Sequence, residues 1–127
     1  MRKRRLFLLA ALLSGCAILR PEPNSDELKA LAKEALQAVR RGDLDAFKKY
    51  VKRGLPIDYG KGDGETPLHW TVHSNKLAIA EWIIQQGADV NALSDIDYTP
   101  LHWAASSGRT EMVKLLLENK ADPNRGG

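Results

Sequence analysis

An all-α repeat solenoid with a 33-residue period is the fold this sequence predicts, and three observations predict it. The string Thr66-Pro67-Leu68-His69-Trp70 returns unchanged, 33 residues later, as Thr99-Pro100-Leu101-His102-Trp103. Turn-forming residues outside it keep the same step: Gly42, Asn75 and Gly108 form one series, Asp58, Asn91 and Asn124 another. Between these turns, apolar residues recur at the i, i+3, i+4 spacing of a buried helix face. The result is three units, over residues 25–60, 61–93 and 94–127, of which the first has diverged most.

The segment ahead of the repeats reads differently. Arg2, Lys3, Arg4 and Arg5, an apolar run from Leu6 to Leu13, and Ser14-Gly15 have the three-part layout of a secretory leader over residues 1–15. The run is well below the ~20 residues a membrane-crossing helix requires. Leu13-Ser14-Gly15-Cys16 resembles a bacterial lipobox, which implies cleavage before Cys16 and lipidation of its sulfur. The bland alternative is a chance cysteine in an ordinary leader. A single cysteine excludes an intramolecular disulfide, and acylation accounts for a free thiol in an oxidising compartment. Ala17, where an Asp would be expected for retention at the inner membrane, implies the outer membrane of a bacterial envelope, with the chain facing the periplasm. Residues 16–24 are then a short tether stiffened by Pro21 and Pro23, reaching at most ~28 Å at ~3.5 Å per residue.

Charge follows the same division. The chain carries +3 overall with a pI near 9.1. Without residues 1–15, however, 15 basic residues face 16 acidic ones, a net −1. The basic pI belongs to the leader, so no nucleic-acid partner is expected.

The first repeat opens at Asn24 or Ser25, good N-caps, with Glu27 placed as in a capping box. Leu28, Leu31, Ala32, Ala35, Leu36 and Val39 form one face of a helix running to about Arg41. Gly42 ends it and Asp43 caps a second helix whose apolar residues are Leu44, Phe47, Tyr50 and Val51. A connection rich in glycine (Gly60, Gly62, Gly64) follows. In the second repeat Thr66 caps and Pro67 occupies the first turn of a short helix to Ser74. A second helix, Lys76 to Gln85, ends before Gly87. The third repeat repeats the plan over Pro100 to Ser107 and Thr110 to Asn119. Two substitutions break the pattern: Asp97 stands at the Gly64 place and Lys120 at the Gly87 place. Lys120 is poorly suited to left-handed backbone, so Asn119 is expected to take that role one residue earlier. The flank of the third repeat, including Leu116 and Leu117, is expected to lie incompletely covered.

The strings GETPLHWTVHSNKLAIAEWIIQQGADVNA and DYTPLHWAASSGRTEMVKLLLENKADPN closely resemble ankyrin repeats. The resemblance spans about residues 26–125 and weakens in the first repeat, where Lys33 and Glu34 replace the Thr-Pro pair. It implies helix-turn-helix units with protruding β-hairpin loops, and His69 and His102 engaged in hydrogen bonds that tie repeats together. It also implies a concave surface, made of hairpin tips and the ends of first helices, that grips partner proteins. Position by position, that surface comprises Asp63, Glu65, His73, Ser74, Asp95, Ile96, Tyr98, Ser106 and Ser107, with Arg40 and Arg41 in the first repeat. Ile96 beside Tyr98 has the character of an interface anchor.

Other chemistry is weakly signalled. His69 and His73, four apart, could share a zinc ion, yet no Glu follows His69 and no third ligand is near in sequence. Ser74 beside His73 does not make a catalytic pair, because neighbours on a helix do not face one another. Nucleophile elbows and phosphate loops are absent. Trp82 is expected in the core, with Trp70 and Trp103 packed but leaving an indole N–H at a wet edge. The reading is a non-enzymatic, cofactor-free protein-interaction module anchored by lipid, with an inhibitor or immunity protein as its sharper form. Self-association through the third repeat is the structural alternative.

Overall fold

The computed structural model describes residues 24–60, 62 and 64–125. The leader, Cys16 and Asp63 fall outside these. Among the described residues there are six helices in three antiparallel pairs: α1 Ser25–Arg41 with α2 Leu44–Lys52, α3 Pro67–Ser74 with α4 Leu77–Gln85, and α5 Pro100–Ser106 with α6 Thr110–Glu118. The inner helices α1, α3 and α5 pack in sequence as one layer, and α4 packs on α6 in the outer one. No described helix is long and apolar enough to cross a membrane.

Local chemistry explains several of the boundaries. Asn24 Oδ1 accepts the Glu27 amide at 2.8 Å, opening α1, and Asp43 Oδ1 accepts the Ala46 amide at 3.1 Å, opening α2. Acidic Asp26 and Glu27 in the first turn of α1, and Arg40 and Arg41 in its last, complement the helix dipole. Thr99 completes a reciprocal cap: its Oγ1 accepts the His102 amide at 3.3 Å while His102 Nδ1 accepts the Thr99 amide at 3.0 Å.

The period has a backbone meaning. Eight described residues have positive φ, and all fall on three series stepped by 33. Gly42, Asn75 and Gly108 (φ 73°, 54° and 69°) end the inner helices, while Gly54, Gly87 and Lys120 (φ 117°, 90° and 70°) follow the outer ones. Gly64 and Asp97 (φ 76° and 61°) sit just before the Thr-Pro caps. The expectation for Asn119 is therefore corrected: its φ is −102°, and Lys120 itself adopts the left-handed conformation. The stack requires the turn at that register, since the Ala121 amide must reach the Leu116 carbonyl (3.0 Å) just as Leu55 reaches Tyr50 (3.1 Å).

A second correction concerns the connections. Among the described residues none is in a β-strand, so the connections those residues form are turns without a β-ladder. In the loop 94–98 two backbone bonds close the turn, from the Ser94 amide to the Tyr98 carbonyl and from the Asp97 amide to the Ser94 carbonyl, both 2.9 Å, and the Tyr98 amide donates to Ser94 Oγ, a side chain, at 3.4 Å. Side chains do the remaining joining. Asp58 Oδ1 accepts the Asp89 amide at 3.0 Å, and one period later Asn91 Oδ1 accepts the Asp122 amide at 2.7 Å. Asp58 and Asn91 are thus staples between successive repeats, while at Asn124, the third of the series, the backbone amide donates locally to Asp122 Oδ1 at 2.9 Å.

One core runs through the stack. Ala35, Ala38, Val39 and Phe47 of the first repeat, Leu68, Trp70, Val72, Ile79 and Ile83 of the second, and Ala104, Met112 and Leu116 of the third are all buried. The inner helices contribute both small residues (Ala35, Ala38, Ala104) and large ones (Leu68, Trp70, Leu101), and the outer helices add Phe47, Ile79, Ile83, Met112 and Leu116. The tryptophans fall out differently from expectation. Trp70 is the fully buried one, whereas Trp82 is half-buried, edge-on to Phe47 at 6.0 Å with Lys48 Nζ 5.6 Å from its ring. Neither Trp70 nor Trp103 has its indole N–H at a wet edge: both Nε1 atoms are buried without a hydrogen-bond partner. On the third repeat Leu116 is covered and Leu117, 47% exposed, is not.

Candidate protein-binding surface

The inner helices and the loops before them bring most of the sequence-selected residues to one side. At its centre His69 is locked. Its Nδ1 accepts the Thr66 amide at 3.0 Å, so the proton lies on Nε2, which donates to the Tyr98 carbonyl at 3.0 Å. That bond joins the second repeat to the loop of the third and fixes where Tyr98 stands. The Tyr98 ring then stacks on His102 (centroids 5.1 Å, interplanar angle 21°) and leans on Trp103 (5.0 Å, 59°). Trp103 in turn meets the edge of His73 at 4.8 Å, and His73 Nε2 lies 3.1 Å from Glu65 Oε1. Glu65, His73, Trp103, Tyr98 and His102 form a continuous row across two repeats.

The tip loop is held as firmly as this row. Its closing bonds (Asp97 amide to Ser94 carbonyl, Ser94 amide to Tyr98 carbonyl, both 2.9 Å) leave Ile96 at the apex, 60% exposed. Beneath, Gly64 approaches so closely that a Cβ there would sit 2.6 Å from Asp95 Oδ1 and 2.9 Å from the Asp95 amide nitrogen. Only glycine allows that contact, which sets one tip against the next.

The other selected residues are placed as follows. Asp95, Ser106 and Ser107 are exposed, as are Arg40 and Arg41, while Ser74 and Tyr98 are half-buried. Ser106 Oγ donates to the Trp103 carbonyl at 3.3 Å. His69 and His73 do not share a ligand set: the first is buried with both ring nitrogens engaged, the second is exposed and faces Glu65. Among the described residues no three His, Cys, Asp or Glu side chains could hold a metal together.

Sequence reasoning missed Trp103 and His102 as surface residues, because the identical pentapeptide buries Trp70 and His69. The difference comes from packing: within the inner layer α3 lies between α1 and α5, whereas among the described residues α5 has an inner-helix neighbour, α3, on one flank. Position in the stack was the available signal.

Three stacked helical hairpins, linked by periodic side-chain staples and presenting loop tips beside inner-helix ends, define a helical-repeat binding protein. The chain belongs to the ankyrin-repeat family: the description of ankyrin repeats in three copies matches residues 35–126. Ankyrin repeats are protein-interaction modules. Curated relatives are larger. The chain is 35% identical over 63 residues to palmitoyltransferase akr1 of Emericella nidulans, covering 49% of this chain and 8% of that protein. It is 40% identical over 58 residues to palmitoyltransferase AKR1 of Saccharomyces cerevisiae, covering 43% of this chain and 8% of that one. A third similarity, 32% over 67 residues, is to acyl-CoA-binding domain-containing protein 1 of Arabidopsis thaliana, with 53% and 19% covered. The chain therefore spans less than a fifth of the length of these relatives.

Proposed function

We propose that this chain is a non-enzymatic protein-binding module, lipid-anchored through Cys16 in a bacterial envelope and facing the periplasm, that holds a partner protein against its loop tips and inner-helix ends. The observation that carries this reading is the fixed loop 94–98, which presents Ile96 over the row Tyr98, Trp103, His73 and Glu65. A preorganised apolar apex next to amphipathic rings lowers the ordering cost of association and is the composition that interfaces favour. Arg40, Arg41, Glu65, Asp95, Ser106 and Ser107 supply a polar surround. A partner that is itself a toxin or enzyme at the membrane is the sharper version, in which the module acts as inhibitor or immunity protein. The leader-like residues 1–15 and the lipobox-like Leu13 to Cys16 support the anchor and the outer-membrane location.

The test is quantitative co-purification of the processed chain from envelope extracts. Ile96→Ala should weaken partner capture at least tenfold, about 1.4 kcal/mol or more, with an unchanged melting temperature because the side chain has little to lose in the fold. Tyr98→Ala is the poorer probe, since it also removes the stack on His102 and Trp103. Capture insensitive to Ile96→Ala would sink the surface assignment. Mass spectrometry of the mature N-terminus decides the anchor separately: a chain cleaved elsewhere, or carrying an unmodified Cys16, would defeat it.

A further inference from the structure

We infer that the outer face of the first repeat docks on an anionic membrane surface through Lys49, Lys52 and Arg53, grouped about Tyr50. The inference rests on the lipid-anchor reading for its orientation and on the geometry of α2 for its chemistry. Lys49, Lys52 and Arg53 stand at i, i+3 and i+4, one side of the helix, and all three are exposed. With Ala46 and the half-buried Tyr50 they line an open groove of about 410 Å³. The Arg53 guanidinium carbon lies 5.8 Å from the Tyr50 ring centroid, within cation–π range of the ring. A guanidinium beside two ammonium groups matches phosphate oxygens, which accept bidentate and point-charge contacts together.

Charge is distributed along the stack in the sense this requires. Residues 44–53 carry four cations against one carboxylate, Asp45, a net +3. The whole first repeat, residues 25–60, has eight basic and six acidic residues, a net +2, whereas residues 61–127 have six basic and nine acidic, a net −3. The positive end is the end that continues into the tether. A tether of at most ~28 Å keeps that repeat nearest the bilayer, inside or close to the range over which an anionic surface acts. An anionic lipid surface thus attracts the near end and repels the far one, orienting the stack. Tyr50, with an apolar body and polar tip, suits the headgroup boundary. The patch lies on an outer helix, while the partner-binding positions lie on tips and inner helices, so docking leaves them free.

The experiment is amine-reactive footprinting of the processed chain in phosphatidylcholine vesicles with and without phosphatidylglycerol, read by mass spectrometry. In anionic vesicles Lys49 and Lys52 should react about fivefold more slowly than in neutral ones, while Lys114 and Lys120, exposed at the far end, keep their rates. The protection should vanish at high salt and shrink in Arg53→Gln. Unchanged Lys49 and Lys52 rates in anionic vesicles would overturn the proposal. Equal protection in neutral vesicles, or protection only after envelope extract is added, would also overturn it, the latter in favour of an acidic protein. The mass of the Cys16 peptide reports the anchor independently. If that sulfur is unmodified, the same vesicles are added to the free chain, and salt-sensitive protection or its absence decides the patch on its own.

Discussion

Lys120 holds φ at 70° where the preceding repeat has Gly87 at 90°. A Cβ in left-handed backbone costs about 1–2 kcal/mol, and the Lys120 side chain is exposed. Lys120→Gly should therefore stabilise the chain by about 1 kcal/mol, net of the added freedom of glycine in the unfolded state, and raise the melting temperature by about 4–8 °C. Gly64 is the opposite case. Its φ of 76° is compounded by the 2.6 Å approach of Asp95 Oδ1, so Gly64→Ala should cost about 2–3 kcal/mol and displace the neighbouring tip, read by thermal melting and by weaker partner capture. Asp97, on the same periodic series, has a short polar side chain suited to φ 61°, and Asp97→Gly should change stability by less than about 1 kcal/mol. The two histidines of the twinned pentapeptide separate in the same way. His69 is buried with bonds to the Thr66 amide and the Tyr98 carbonyl, so His69→Ala should cost about 2–4 kcal/mol. His102 is half-buried, and His102→Ala should cost roughly half as much, both from urea denaturation at constant slope.

Helices were the legible elements, and for a physical reason. Their ends are dictated by local chemistry that the chain carries at fixed offsets: Asn24, Asp43, Thr66 and Thr99 as caps, Pro67 and Pro100 in first turns, Gly42, Asn75 and Gly108 as left-handed ends. The loops were less legible because tertiary contact decides them. An ankyrin resemblance implied β-hairpins, but here Ser94 Oγ, Asp58 and Asn91 take backbone amides that a strand ladder would otherwise satisfy. Of the surface, Ile96 and the row through Glu65, His73 and Tyr98 could be read from positions, whereas Trp103 could not, since its twin is core. Likewise the second helices differ in a way sequence reveals only once the backbone is known. Asp43, Lys76 and Arg109 share nearly one N-cap geometry (φ/ψ −91/87°, −104/85° and −82/74°), yet only Asp43 makes a side-chain cap bond. Lys76→Asp should then supply the missing acceptor at the start of α4 and stabilise by about 0.5–1 kcal/mol, less whatever the Lys76 stem contributes by lying over Gly42. Thermal melting against Lys76→Ala separates the new cap from the lost stem.

Across the molecule, stability should fall from the middle repeat outward, because in a stack each unit is held by its own packing plus the interfaces it shares. The second repeat shares two: α3 lies between α1 and α5, its residues from Pro67 to Val72 are all buried, and staples reach it from Asp58 and leave it from Asn91. The third shares one among the described residues. It also carries the Lys120 strain, exposes Leu117, and leaves a groove of about 290 Å³ lined by Leu101, His102, Ala105, Val113, Leu117 and Pro123. Native-state hydrogen exchange should therefore find α6 opening at a lower free energy than α3, by roughly 2 kcal/mol. Asn91→Ala, which removes the acceptor for the Asp122 amide, should widen that gap by about 1 kcal/mol without altering exchange in α1. Identical opening energies in α3 and α6 would mean that the second and third repeats unfold as one unit. If α6 instead becomes more protected as protein concentration rises, the groove is being covered by a second copy, and Leu117→Lys should abolish that rise while leaving the dilute chain's stability within about 0.5 kcal/mol.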